Sequence, residues 1–201
     1  NNWEFAGMKK AVSIDGTLNN PKDKDKSWSV EVYIPWKSIY QVMRGKEKPQ
    51  AGEQLRINFS RVEWPVKIQN GKYVKIPKPG HTKISEYNWV WAPTGIINIH
   101  LPEYWGYVQL SDKVAGKEEE LFIPNPDEEY KWILRQLYYR QQEYKGLNGE
   151  YATKTAILKP EEICSAEIAK RIKLYTTPGM YEITLATPNK CWHIRQDGLV
   201  W

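Results

Sequence analysis

The sequence predicts two folds in series: an antiparallel β-sandwich over residues 1–111, then a small α+β unit over residues 112–201. Two observations carry this. The first hundred residues hold short stretches with an apolar period of two, punctuated by the turn signals Asp15-Gly16, Asn70-Gly71 and Pro79-Gly80. Past the charged segment 112–120 the apolar period becomes that of a helix.

The elements follow in order. Ser27–Ile34 puts Trp28, Val30, Val32 and Ile34 on one side and Glu31 and Tyr33 on the other, the pattern of a half-buried strand. Pro35 ends it, having no N–H for a ladder. Leu55–Trp64 reads as a second strand, in which Leu55, Ile57 and Phe59 share a face that continues into Arg61 and Glu63. An inward face that turns from apolar to charged belongs to a strand leaving the core at a rim. Tyr73–Ile76, Trp89–Trp91, Ile96–His100 and Trp105–Leu110 complete the set, and many short punctuated strands predict a sandwich.

Asn125-Pro126-Asp127-Glu128 then opens a helix with a cap residue, Pro at the first helical position and Glu at the third. Tyr130, Ile133, Leu134, Leu137, Tyr138, Gln141 and Tyr144 form its apolar stripe. Pro160-Glu161-Glu162 opens a second, shorter helix carrying Ile163, Ile168 and Ile172. Tyr181–Ala186 and Cys191–Arg195 flank the turn Thr187-Pro188-Asn189-Lys190 as a hairpin.

Ten Trp and thirteen Tyr stand against three Phe. Trp and Tyr pair an apolar body with a polar tip and favour half-wet faces, whereas a dry core uses Phe. The net charge of +5 comes from Lys spread along the chain and reads as solubility in preference to nucleic-acid binding. No apolar run approaches the length of about 18 residues that a membrane helix needs. Cys164 and Cys191 have no metal-ligand spacing; they form either one disulfide or two small buried residues, according to the redox compartment. The chain opens on Asn1, not Met, which a removed leader and a trimmed chain would both produce.

Tyr87-Asn88-Trp89-Val90-Trp91-Ala92-Pro93 and Pro102-Glu103-Tyr104-Trp105-Gly106-Tyr107 concentrate flat apolar rings with little chemistry. Such rings suit the C–H faces of a sugar, so the expected activity is carbohydrate recognition without catalysis. Trp89 and Trp91 share a face of an extended strand and serve either as a sugar platform or as core. Asn88 is a partner for a sugar hydroxyl or a turn cap. Arg61 and Glu63 bind hydroxyls or form a rim ion pair. Glu31, Glu63 and Glu103 offer no glycosidase signature, and His81, His100 and His193 no metal motif.

The blocks Gly16–Asn19, Trp28–Trp36, Arg56–Trp64, Trp89–Gly95 and Trp105–Leu110, in that order, resemble the latter half of a family 9-like carbohydrate-binding module. The resemblance spans roughly residues 3–111. It implies a non-catalytic β-sandwich in a secreted, periplasmic or cell-surface bacterial protein. It also implies oligosaccharide or polysaccharide as ligand, structural calcium, and Trp91 in the position of a stacking ring. The first half of the module has no counterpart here, so the sandwich is expected to be incomplete on its N-terminal side, its missing strands supplied from elsewhere. Residues 125–201 resemble an extension fused to that branch. The alternative expectation is a structural or protein-docking module with no sugar affinity.

Overall fold

The computed structural model describes residues 4–41, 43, 48–96, 98 and 100–201. The chain has mixed α and β structure and divides into two compact units, Asn1–Phe122 and Ile123–Trp201, so the charged segment 112–120 falls within the first.

The first unit runs β1 (Lys9–Asp15), β2 (Ser27–Tyr33), α1 (Trp36–Tyr40), β3 (Gln54–Ile57), β4 (Ser60–Glu63), β5 (Val66–Gln69), β6 (Lys72–Lys75), β7 (Tyr87–Val90) and β8 (Gly106–Gln109). Among the described residues all pairing in this unit is antiparallel, in four two-stranded ribbons: β1 with β2, β3 with β8, β4 with β7 and β5 with β6. The expected strand Leu55–Trp64 is two strands, because the chain changes partner at Asn58-Phe59, from β8 to β7. Asn70 and Gly71 both take positive φ, 52° and 71°, as a two-residue turn between right-twisted strands requires. The expected strand Ile96–His100 lies partly outside the described residues.

The expectation that Ser27–Ile34 is half-buried needs correcting. Register pairs Val12 with Val30, Ile14 with Trp28 and Lys10 with Val32, so the β1–β2 ribbon gathers Val12, Ile14, Trp28, Val30 and Val32 on one face. Every residue of both strands is exposed. Alternation created the apolar face, but a ribbon two strands wide cannot cover it. Among the described residues no pair of facing sheets is evident. Two polar ties involve buried side chains of this unit. The buried Tyr40 donates its hydroxyl to Glu53 at 2.9 Å, and the buried Ser38 donates to the Ala6 carbonyl at 2.5 Å.

The second unit has α2 (Asp127–Asn148), α3 (Ala166–Ala169), β9 (Ile172–Thr176), β10 (Tyr181–Ala186) and β11 (Cys191–Arg195). Asn125 caps α2 as its sequence indicates, its side-chain oxygen accepting from the Asp127 N–H at 3.0 Å. Gly149, at φ 81°, closes the other end. Ile133, Leu134, Leu137 and Gln141 of the stripe are buried, while Tyr130, Tyr138 and Tyr144 pack at the edge of the core. They meet Ile172, Ile183, Leu185 and Ile194 from a three-stranded sheet ordered β11-β10-β9.

Two differences stand out here. The expected second helix is two short 3-10 turns, Thr155–Leu158 and Pro160–Glu162, followed by α3. Ser165 restarts the backbone by accepting the Ile168 N–H on its hydroxyl at 3.3 Å. Ile172 is not helical but begins β9, whose inward residues Ile172 and Leu174 alternate with Lys173 and Tyr175. Cys164 and Cys191 are both free thiols, Cys164 half-buried and Cys191 exposed.

Gln141 is the polar group inside this core. Its amide donates to the Ala152 carbonyl at 3.0 Å and accepts the Ala152 N–H at 2.9 Å, so it imitates a strand partner with every group paired. Gln141→Leu leaves the buried Ala152 N–H and C=O without partners. We predict a loss of about 2–4 kcal/mol, read from the denaturant midpoint of the α2 helical signal; an unchanged midpoint contradicts the assignment.

Candidate functional site

The β4–β7 ribbon determines which side chains share a face. Arg61 lies opposite Trp89 and Glu63 opposite Tyr87, whereas Ser60 pairs with Val90 and Val62 with Asn88. Cross-strand partners project to the same side, and neighbours along a strand to opposite sides. The structure therefore brings Trp89, Arg61 and Glu63 together and sends Asn88 to the other face. Sequence reasoning chose Asn88 for its adjacency to Trp89, and adjacency in a strand is what separates them.

Tyr87 takes its place on the shared face. The period of two from Trp89 would have identified it. The Arg61 guanidinium lies 5.8 Å from the Trp89 ring centre and forms an ion pair with Glu63 at 3.0 Å. Both partners are more than half exposed, which limits that pair to about 1 kcal/mol or less. Lys78 places its ammonium 4.6 Å from the centre of the Tyr87 ring.

Trp91 follows β7 and is anchored differently. Its backbone N–H donates to the Phe59 carbonyl at 3.0 Å, and its indole N–H to the Ile57 carbonyl at 3.0 Å. Phe59 meets the ring edge to face at 5.6 Å. The indole crosses the β3–β8 ribbon at the Ile57–Gly106 pair, where a Cβ on Gly106 would come within 2.7 Å of the ring. Trp91 remains 47% exposed and Trp89 56% exposed. Trp91 has committed its polar tip internally and offers a ligand only a ring surface.

Arg56 was missed by sequence reasoning. Its guanidinium donates to the Glu103 carbonyl at 2.6 Å, to the Trp105 carbonyl at 3.1 Å and to the Tyr107 hydroxyl, and lies over the Tyr107 ring at 4.1 Å. It holds the turn Pro102–Tyr104 against β8. Trp28 and Trp36 are exposed, while Trp64 is half-buried with Lys75 3.5 Å above its ring. The His100 backbone N–H bonds the Asn98 side chain at 3.0 Å.

The resemblance implied structural calcium. Among the described residues no group of three or more His, Cys, Asp or Glu side chains converges to hold a metal. In the second unit His193 pairs with Glu182 at 2.7 Å and stacks on Trp201, a cluster with no sequence motif. No helix is long and apolar enough to cross a membrane among the described residues.

The chain matches no known family, no curated protein and no solved structure.

Gly106→Ala tests the seat of Trp91. The added methyl collides with the indole and with the Ala92 Cβ, 2.8 Å away. We predict a loss of about 1–3 kcal/mol and a shifted Trp91 indole N–H resonance. An unmoved resonance contradicts the described seat.

Proposed function

We propose that the first unit is a non-catalytic carbohydrate-binding region, part of an antiparallel β-sandwich of the family 9-like type, whose ligand is an oligosaccharide or polysaccharide. One observation carries the reading: two indoles two residues apart, Trp89 and Trp91, are each about half open to solvent. An open ring of this kind stacks on the C–H face of a pyranose. Arg61 and Glu63, in register beside Trp89, supply a donor fork and an acceptor for sugar hydroxyls. Asn88, on the opposite face, takes no part. By the same resemblance the protein acts outside the bacterial cytoplasm, as a secreted, periplasmic or cell-surface component.

The magnitudes indicate weak binding. Two stacked rings at about 1 kcal/mol each and two hydroxyl bonds at about 1 kcal/mol each are few and small beside the entropy lost on association.

A second reading has an observation of its own. The exposed apolar face of β1–β2, with Trp28 56% open, suits docking to protein in a module without sugar affinity. In the sandwich reading that same face receives further strands.

Trp fluorescence titration with neutral and acidic oligosaccharides tests the proposal. Trp89→Ala is the cleaner variant, because Trp91→Ala also removes the bond to Ile57. We expect saturable quenching in the wild type and affinity about fivefold lower in each variant. Equal affinity in all three proteins removes the rings from the site, and no binding to any glycan at millimolar concentration favours the docking reading.

A further inference from the structure

Within the first unit the charge is not evenly distributed. Residues 64–85 contain Lys67, Lys72, Lys75, Lys78 and Lys83 and no Asp or Glu. Those five positive charges equal the net +5 of the entire chain, so the other residues sum to zero. This stretch forms β5, β6 and the connection into β7, the strand that carries Trp89. Among the described residues none of the five lysines forms an ion pair with a carboxylate.

The cations also sit on the rings. Lys75 lies 3.5 Å from the Trp64 ring centre, Lys78 4.6 Å from that of Tyr87, and Arg61 5.8 Å from that of Trp89. A neutral sugar that stacks on the Tyr87–Trp89 face must push aside a cation attracted to the ring and gains no charge in return. A sugar bearing a carboxylate or sulfate stacks and pairs with the displaced cation in one event. Glu63 opposes this: its ion pair with Arg61 must open before Arg61 takes an acidic group, whereas Lys78 stands over Tyr87.

We infer that the glycan bound at this platform is an anionic polysaccharide, its rings stacked on Trp89 and Tyr87 and its acidic groups held by Arg61 and Lys78. This rests on the carbohydrate reading above and specifies its ligand class. Single-stranded nucleic acid shares the charge but fits less well. A uronate carries its acid directly on the ring that stacks, as cations placed on the aromatic rings require, whereas a nucleotide's phosphate is separated from its base by the ribose.

The test uses the full chain with polygalacturonate, alginate and hyaluronate, each beside its methyl ester, together with neutral xylan and oligo-dT, in affinity electrophoresis. We expect at least one acid to bind more tightly than its ester. Raising salt from about 0.05 to about 0.5 M should weaken that binding severalfold. Lys78→Gln should weaken it about two- to fivefold, and Trp89→Ala at least as much. An ester or xylan bound as tightly as every acid overturns the charge inference and leaves the carbohydrate reading standing. Oligo-dT bound more tightly than any acid, or acid binding indifferent to Trp89→Ala, also overturns it. No glycan bound at all removes both.

Discussion

Trp91 can lie across the β3–β8 ribbon only because Gly106 has no side chain. The indole occupies the volume a Cβ would fill, and its N–H reaches the Ile57 carbonyl at the same crossing. Ile57 and Gly106 are the last pair of one ribbon, and Trp91 is the first residue past the end of the other, so a single side chain spans the point at which the strand β3–β4 changes partners. This constraint determines the character of the platform. Trp91 is immobilised at its polar edge, so its open surface is a rigid one, while Trp89 is held by strand pairing and by the guanidinium opposite. A preorganised ring loses less entropy on binding than a mobile one, and weak stacking can then yield measurable affinity.

The two units were legible in the sequence to different degrees, for a physical reason. In the second unit the stripe from Tyr130 to Tyr144 has a partner surface within the same unit, so helical periodicity and burial coincide. The errors there came from short elements. Ser165 interrupts the helical backbone and Ile172 alternates into a strand, and over four or five residues helix and strand patterns are hard to tell apart. In the first unit alternation identified strands but could not show whether an apolar face is covered. Trp28, Val30 and Val32 carry the pattern of an inner face and lie in solvent.

At the candidate site, residue type was readable and direction was not. The aromatic density of residues 87–107 pointed to Trp89 and Trp91, which are half open, and the charged end of the strand to Arg61 and Glu63, which share the Trp89 face. Tyr87 shares the Trp89 face and Asn88 does not, because facing depends on cross-strand register, which no single strand reveals. Arg56 was invisible for a similar reason. Its three acceptors lie 47 to 51 residues away in sequence and include two backbone carbonyls, which carry no sequence signature.

The most direct measurement follows the indole N–H resonances of isotope-labelled protein as oligosaccharide is added. If the open rings bind sugar, the Trp89 and Trp91 signals move together and saturably, while those of Trp132 and Trp192 in the second unit stay in place. Signals near Trp89 and Trp91 that remain fixed while others move would contradict the account.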